Sequence, residues 1–504
     1  MAVTTIDVPR VNGGRPALHG YGAQLNTYVF TQSGVMTRGN QAQDLSEADR
    51  RKLAEKIRGI APGHCRIFVQ RGLDPTPGRG QQMPAWHALH KTVELAQQAG
   101  ATVNLTWWGQ GPYAIADRLR NLSWPNPNRT DWPNPAFQKW PTELTAPDGP
   151  SGIPGPRDKM RRFAAIVHEL RKDFDCVTHA TIQNEVNGAG RDIAFKGNAN
   201  LSMRLYEHLY REFDEALRAL HDPQRPAQTM RDAITITAGD LLQGKGGNDQ
   251  DDWIRYLHAN MDVARDGMPS VLDAYSIHVY WKPEEFPTKA EARLEHLADL
   301  LDSLGTKKPV YVTEYGVRQI VNPASDRPGV HRPTGLPMEH APEAAFQHAW
   351  FNALAPQRRC VGLVKWVMYR SDLVNGWGKW GVIDSPRDGL GVTPTYHVMR
   401  LFNGLVDKDW FAGGGDHSGD GLVLVSRFSG PGGGESVVAL NRDDRPREVK
   451  LTGLGATRYR RFDWNRGGRG KLDTVGDTPA PGNSVTVSIP PRGVMALTTR
   501  PLVF

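Results

Sequence analysis

The sequence of 504 residues is poor in cysteine, with only three thiols, at Cys65, Cys176 and Cys360. Three cysteines cannot all pair, and none of them lies in a CxxC motif or in a Cys/His ligand set. This pattern excludes a disulfide-stapled scaffold and a structural zinc site built on cysteine. Because all three lie in or beside apolar, strand-like runs, we expect buried free thiols. The sequence suggests neither a metal site nor a cofactor.

The sequence also lacks an apolar run long enough to span a bilayer, so we expect no membrane partner. Its first residues, MAVTTIDVPR, lack the basic segment and apolar stretch of a signal peptide. We therefore expect a cytoplasmic protein, or a secreted one whose leader is absent from this sequence. The hydrophobic content of 39% is that of a soluble globular protein, and the length predicts two or three domains.

Charge of one sign does not dominate any segment. The chain has 61 Lys and Arg residues against 54 Asp and Glu residues, a formal net charge of +7. An anionic partner is one explanation of this excess. The densest basic cluster, RYRRFDWNRGGRG at 458–470, is interrupted by an acid, aromatic residues and glycines, which is typical of a solvated surface. We therefore expect no nucleic-acid partner.

Strand-like apolar runs alternate with segments whose apolar residues recur every three or four positions, as in amphipathic helices. The runs are LHGYGAQLN (18–26), CRIFVQ (65–70), TVNLTWW (102–108), HATIQNE (179–185), AITITAG (233–239), DAYSIHVYW (273–281), PVYVTEYG (309–316) and VGLVKWVMY (361–369). This alternation predicts an α/β fold whose parallel strands close into a (β/α)8 TIM barrel. The alternative, a doubly wound open sheet, usually needs a Gly-rich first turn, and NTYVFTQSG offers none.

The pattern changes near residue 405. From Trp410 onward, short alternating runs are separated by Gly and Pro clusters such as SGPGGGES, which is typical of an antiparallel β-sandwich. The strand-like start of the chain, VTTIDVPRV, could add a strand to it. We therefore predict a barrel domain over 19–405 and a C-terminal β-sandwich domain built from 1–18 and 406–504. A Pro-rich stretch with three tryptophans, 124–158, predicts a long loop at the carboxyl end of the barrel.

Polar residues stand at the carboxyl ends of two predicted strands, where the active sites of such barrels lie. The fourth run ends in Asn184 and Glu185, and the seventh contains Glu314. Strands on opposite sides of one barrel can bring two such carboxyl groups together. Paired carboxyls, one protonated and one ionised, perform glycoside hydrolysis. Taken alone, the Asn-Glu pair could instead cap a following helix.

Other predicted strand ends contain residues suited to such a site. Arg66 could hold a carboxylate ionised. Strand alternation puts His278 and Tyr280 on one face, and the indole of Trp366 could form a floor for a sugar ring. A structural ion pair, a core histidine and core packing are the respective alternatives. The further candidates for sugar contact are Trp108, Trp281, Trp377 and Trp380.

Together these residues resemble clan A of the glycoside hydrolases, whose two catalytic glutamates end strands four and seven. The Asn-Glu pair of TIQNEVN and the Glu of VTEYG match the clan's motifs, and the Arg66, SIHVY and Trp366 positions are similar to supporting residues of family 5. The resemblance covers about residues 19–405. It implies that Glu185 is the acid/base and Glu314 the nucleophile. It also implies that Asn184 binds the sugar 2-hydroxyl and that Tyr280 touches the nucleophile.

The sequence therefore predicts a retaining glycoside hydrolase with a carbohydrate substrate. A β-linked oligo- or polysaccharide is the expected substrate, cleaved by a two-glutamate double displacement. Two alternatives use the same residues: a saccharide-binding barrel without activity, and a transglycosylase.

Overall fold

The computed structural model describes residues 3–11, 16–27, 46–69, 84–107, 156–187, 199–243, 250–264, 269–317, 338–370, 380–385, 388–467 and 470–502. Three predicted features lie outside the described residues: Trp108, Trp377 and the Pro-rich loop as far as residue 155. Residues 156–158, predicted as the end of that loop, are instead the start of a helix.

The strands and helices are numbered along the chain. The strands are β1 (Thr4–Asp7), β2 (Gly20–Leu25), β3 (His64–Val69), β4 (Thr102–Trp107), β5 (Val177–Ile182), β6 (His221–Asp222), β7 (Arg225–Thr229), β8 (Thr235–Leu241), β9 (Ala274–Trp281), β10 (Val310–Val317), β11 (Cys360–Lys365), β12 (Phe411–His417), β13 (Val423–Ser429), β14 (Glu435–Asn441), β15 (Arg447–Thr452), β16 (Arg458–Trp464), β17 (Leu472–Pro479), β18 (Val485–Ile489) and β19 (Gly493–Thr498). The α-helices are α1 (Glu47–Ile60), α2 (Pro84–Gln98), α3 (Pro156–Asp173), α4 (Ala199–Arg218), α5 (Met230–Ala233), α6 (Gln250–Leu257), α7 (Thr288–Ser303), α8 (Pro342–Leu354) and α9 (Pro394–Leu405).

Eight of these strands close into a barrel, in the order β2, β3, β4, β5, β8, β9, β10, β11 and back to β2. Every neighbouring pair is parallel, so the carboxyl ends of all the barrel strands open at the same end. The (β/α)8 barrel predicted from the sequence is confirmed. Each predicted run overlaps one barrel strand.

The barrel strands are buried on both faces, because their side chains alternate between the barrel interior and the surrounding helices. Strands β3 and β10, for example, contain only buried residues. This burial explains why the strands read as nearly continuous apolar runs. The polar residues within them, among them Arg66 and Glu314, must find hydrogen-bond partners inside the protein.

Helix α1 illustrates how local sequence fixes the surrounding helices. The Ser46 hydroxyl accepts a hydrogen bond from the Asp49 N–H at 3.1 Å and so caps the helix start. Leu53, Ile57 and Ile60 form its buried face. These residues belong to the apolar repeat that predicts the helix, and burial of each stabilises the fold by about 1.5–3 kcal/mol.

The strands after the barrel, together with β1 at the start of the chain, form two facing sheets. One sheet has the order β12-β13-β14-β19-β16-β17 and is antiparallel. The other has the order β1-β15-β18, in which β1 lies parallel to β15. Apolar side chains of both sheets, including Ile6, Val437 and Leu497, share one core. The predicted β-sandwich is confirmed, and we propose that its boundary with the barrel lies at 405/406, where α9 ends.

The sandwich contacts the barrel near the amino ends of barrel strands. The Leu18 N–H, ahead of β2, donates to the Trp410 carbonyl at 2.7 Å. Gln357, ahead of β11, donates to the Ser426 hydroxyl at 2.6 Å. These contacts lie away from the carboxyl ends of the barrel strands, where the candidate site is found.

The three cysteines are buried free thiols, as predicted. Burial raises the pKa of each thiol to about 12, so the reactive thiolate is disfavoured. Among the described residues, no helix has both the length and the apolar character needed to cross a bilayer.

Candidate active site

Bulges in two barrel strands direct extra polar side chains into the barrel. The register of β10 against β9 shifts between Val312 and Glu314, and both Thr313 and Glu314 make interior contacts. The register of β8 against β9 also shifts, around Asp240, whose φ is +46°. A regular strand would place only alternate side chains inside. The bulges therefore give the site polar groups that strict alternation would exclude.

The chain turns sharply at Glu185, just beyond the end of β5. The Gln183 N–H still pairs with the Trp107 carbonyl of β4 at 2.8 Å. Gln183 has a φ of +67° and Glu185 a φ of +51°, in the left-handed region that favours glycine. Such a conformation costs about 1–3 kcal/mol and persists where the surroundings enforce it, often at functional sites. The unfavourable backbone flanks Asn184 on both sides.

The guanidinium of Arg66 connects several candidate residues. Arg66 is fully buried in β3, and its Nη1 donates to Glu314 Oε1 at 2.7 Å. Its Nη2 donates to Asn184 Oδ1 and to Asp240 Oδ2, the latter at 2.5 Å. The rigid fork of an arginine holds such partners at fixed relative positions. Because Arg66 engages the amide oxygen of Asn184, the amide nitrogen is the Asn184 atom available to donate to a ligand.

Asp240 is a site residue that the sequence analysis does not name. It is fully buried, and its Oδ1 accepts a hydrogen bond from the Thr313 hydroxyl at 2.5 Å. Its own N–H donates to the Ser276 hydroxyl at 2.8 Å. The fifth predicted run stops at Gly239, one residue short of it. Extending that run by one residue, to AITITAGD, exposes the same signal that identifies Glu185: an acid at a strand end.

His278 and Tyr280, predicted to share one face of β9, both contact the carboxyl groups. The Tyr280 hydroxyl donates to Glu314 Oε2 at 2.7 Å. The Nδ1 atom of His278 lies 3.3 Å from Glu185 Oε1 and 3.5 Å from Glu314 Oε2. The imidazole therefore lies between the two carboxyl groups.

The electrostatics of the cluster favour charged Arg66 and His278. Burial disfavours the Arg66 charge, but the carboxylates of Asp240 and Glu314 outweigh burial and raise its pKa. Burial likewise lowers the pKa of His278, but Glu314 and the hydrogen bond to Glu185 outweigh it, so the net pKa is raised above 6.5. Burial and then Glu314 raise the pKa of Tyr280, which therefore stays a hydrogen-bond donor.

Glu185 and Glu314 approach each other closely. One ligand atom each from Glu185, His278 and Glu314 all lie within 4.8 Å of one another. Three such groups could hold a metal ion. Glu314 already accepts hydrogen bonds on both oxygens, from Arg66 and from Tyr280, and the Arg66 guanidinium supplies a positive charge to it. The arrangement therefore suits acid–base and nucleophilic chemistry by the carboxyl groups themselves.

The predicted tryptophans occupy different positions. Trp366 is partly exposed, with its ring 6.1 Å from Phe68. Trp380 is almost fully buried, with its ring 5.5 Å from that of Tyr280, so it supports Tyr280 rather than presenting a face to a ligand. Trp281 is not part of the cluster. It is buried against α8, where its Nε1 donates to Gln347 at 2.9 Å.

The chain is similar in structure to solved glycoside hydrolases over almost its whole length. A GH30 endoxylanase from Clostridium papyrosolvens C71 matches at a TM-score of 0.59 and 11% identity, covering 99% of each chain. The catalytic domain of GH30 xylanase C from Talaromyces cellulolyticus matches at 0.60 and 12%, covering 98% of each. The GH51 arabinofuranosidase from Xanthomonas axonopodis pv. citri matches at 0.51 and 15%, covering 95% of this chain and 97% of that one.

No family model matches the sequence, and no curated protein matches it either. At 11–15% identity the structural likenesses show the fold, a (β/α)8 barrel with a β-sandwich. They confirm the fold that the resemblance to clan A implies. The neighbours named above belong to families 30 and 51 rather than to family 5.

Proposed function

We propose that the protein is a retaining glycoside hydrolase that cleaves a β-linked oligo- or polysaccharide. The observation that supports this best is the spacing of its two carboxyl groups. An oxygen of Glu185 and an oxygen of Glu314 lie within 4.8 Å of each other. Retaining enzymes hold their two carboxyls about 5–5.5 Å apart, whereas inverting enzymes need about 6.5–9.5 Å to admit a water molecule.

In this proposal Glu314 is the nucleophile. Its two oxygens accept hydrogen bonds from the Arg66 guanidinium and the Tyr280 hydroxyl, and both contacts stabilise an ionised carboxylate. The carboxylate attacks the anomeric carbon and forms a glycosyl-enzyme ester while the bond to the leaving oxygen breaks. Arg66 and Tyr280 keep the carboxylate oriented for this attack.

Glu185 is the acid and then the base. It gives its proton to the leaving oxygen in the first step and takes a proton from water in the second. The water oxygen then attacks the anomeric carbon, and the ester to Glu314 breaks. The sugar keeps its anomeric configuration because the carbon is attacked twice, from opposite faces.

Two further residues would hold the sugar. The Asn184 amide nitrogen would donate to the 2-hydroxyl, since its oxygen is engaged by Arg66. The partly exposed indole of Trp366 would lie under the ring. The structural neighbours include two xylanases and an arabinofuranosidase, so xylan and arabinofuranosides are the first substrates to test.

The proposal is tested by digesting a panel of aryl glycosides and polysaccharides and identifying the products. Wild-type protein should release sugars, and Glu314→Gln should bind substrate without turning it over. An active Glu314→Gln enzyme would contradict the assignment. Product analysis at high acceptor concentration separates hydrolysis from transglycosylation.

A matched control is Glu435→Gln in the sandwich. Glu435 is also buried, forms an ion pair with Arg427 at 2.7 Å and accepts a hydrogen bond from the Tyr459 hydroxyl. It thus repeats the chemical surroundings of Glu314 at a position outside the barrel. Its loss should affect stability and leave turnover intact.

A further inference from the structure

We propose that Lys365 is a positioning residue that holds two tryptophans of the site in place, an inference that rests on the proposed function. Lys365 ends β11 and is fully buried. A buried lysine is costly unless each donor has a partner. Lys365 satisfies this requirement through contacts with the backbone of Trp366 and Trp380 and an ion pair with Glu339.

The ammonium group of Lys365 has three hydrogens to donate. One contact is with the Trp366 carbonyl, and a second is with the Trp380 carbonyl at 3.0 Å. The third is an ion pair with Glu339 Oε1 at 2.9 Å. Two of the three contacts therefore go to the backbone of residues that border the candidate site.

Gly316 lies close to both the Tyr280 ring and the ammonium group of Lys365. A Cβ placed on Gly316 would lie 3.5 Å from the Tyr280 ring and 3.9 Å from Lys365 Nζ. Trp380 packs against the same tyrosine, with 5.5 Å between ring centroids. Moving the Trp380 backbone would therefore displace the hydroxyl that donates to Glu314.

Glu339 orients the ammonium group and opposes the effect of burial, which on balance lowers the pKa of Lys365. Its second oxygen accepts a hydrogen bond from the Thr395 hydroxyl at 2.7 Å. Burial raises the pKa of Glu339, but Lys365 and His348 outweigh burial and hold it at about 2. The pair thus joins three separate segments: the short helix at Met338–His340, strand β11 and the start of α9.

A buried ion pair by itself is weak evidence for a stabilising role, because uncharged side chains can often replace both partners without loss of stability. This property allows stability and positioning to be measured separately. In Lys365→Met, the buried Glu339 carboxylate loses its ammonium partner and keeps His348 and the Thr395 hydroxyl as neighbours. In the double variant Lys365→Met/Glu339→Gln that buried charge is gone, but the two carbonyls still lack their donor.

The test compares melting temperature and steady-state kinetics of these variants on the best substrate of the panel. We expect the melting temperature of the double variant to be higher than that of Lys365→Met. We also expect its kcat/KM to stay about 100-fold below that of the wild type, as a misplacement of about 1 Å can cause. A double variant that regains wild-type kcat/KM along with its stability would overturn the proposal.

Lys308 provides a matched control at the amino end of the barrel. Its ammonium group pairs with Asp262 at 2.8 Å and donates to the Ser270 hydroxyl at 2.7 Å and to the Leu272 carbonyl. The double variant Lys308→Met/Asp262→Asn should change stability and leave kcat/KM as in the wild type. Equal kinetic losses in both double variants would mean that Lys365 acts only through overall stability.

A crystal structure of the Lys365→Met/Glu339→Gln variant gives a readout that does not depend on activity. We expect the Trp366 indole and the Tyr280 hydroxyl to be displaced relative to the wild type. Unchanged positions would overturn the positioning role even if the wild-type protein cleaves no glycoside. A wild type that is inactive on the whole panel would instead contradict the proposed function.

Discussion

Arg66 and Asp240 form an ion pair inside the barrel, with 2.5 Å between Nη2 and Oδ2 and with both side chains fully buried. The same guanidinium contacts Glu314 and Asn184, so Asp240 acts on both residues through Arg66. Asp240 is itself held by the Thr313 hydroxyl. The pair therefore links strands β3, β8 and β10 behind the two proposed catalytic carboxyls.

Asp240→Asn removes the charge of this side chain and keeps its shape. We expect the free energy of unfolding to fall by about 3 kcal/mol, because Arg66 then keeps only part of its countercharge in a buried site. We expect kcat/KM to fall by about 100-fold, because Arg66 is less firmly held against Glu314 and Asn184. Urea denaturation and steady-state kinetics measure the two effects.

The control for this prediction is Asp222→Asn. Arg171 and Asp222 form another buried pair, at 2.7 Å, outside the candidate site. Asp222→Asn should lower the free energy of unfolding by a similar amount without changing kcat/KM. If both variants lose activity equally, the effect of Asp240 does not pass through Arg66.

Glu185→Ala should separate the two chemical steps. Loss of the acid slows cleavage of poor leaving groups, and loss of the base slows hydrolysis of the glycosyl-enzyme, by about 100-fold or more. Activated aryl glycosides should still form the intermediate, and added azide should restore turnover. The product would be a glycosyl azide of retained configuration, detected by NMR. An inverted azide would instead place the nucleophilic role on Glu185.

His278 should titrate above pH 6.5, since Glu314 and Glu185 outweigh the effect of burial on its pKa. The protonated imidazole therefore stabilises the folded state. This stabilisation is complete below pH 6.5 and is lost as the pH rises through the raised pKa of His278. NMR titration of the imidazole checks the pKa. Unfolding of wild type and His278→Asn at several pH values checks the stability.

The Glu185→Gln variant is the comparison for that titration. Without the Glu185 carboxylate, the pKa of His278 should fall. Burial holds the pKa of His64 at about 3, so that ring should stay neutral throughout and serve as an internal reference. An unchanged His278 pKa in Glu185→Gln would rule out their electrostatic coupling.

Sequence predicts the barrel well because its strands are covered on both faces and read as apolar runs. The sequence also singles out Glu185 and Glu314, because each acid interrupts such a run near its carboxyl end, and the structure brings the two side chains together. Asp240 lies one residue beyond the predicted end of its run, and Thr313 depends on a bulge, which changes the facing of a residue without changing the local composition. Glu339 could not be assigned to Lys365 because their contact is made only by the folded chain.

Trp281 has the sequence signal of a site residue but lies outside the cluster. It follows a barrel strand closely and so resembles a ligand-binding aromatic residue in sequence. Strand alternation places it on the face opposite Tyr280, where it packs against α8. Proximity to a strand end is thus a weaker signal than the face on which a residue lies.

Covalent trapping tests the central claim most directly. A panel of activated 2-deoxy-2-fluoro glycosides would be incubated with the protein, and the digested product would be analysed by peptide mass spectrometry. The account predicts one fluoroglycosyl group, attached to the peptide that contains Glu314 and absent from Glu314→Gln. A label on another residue, or hydrolysis of the natural substrate with inversion of configuration, would contradict it.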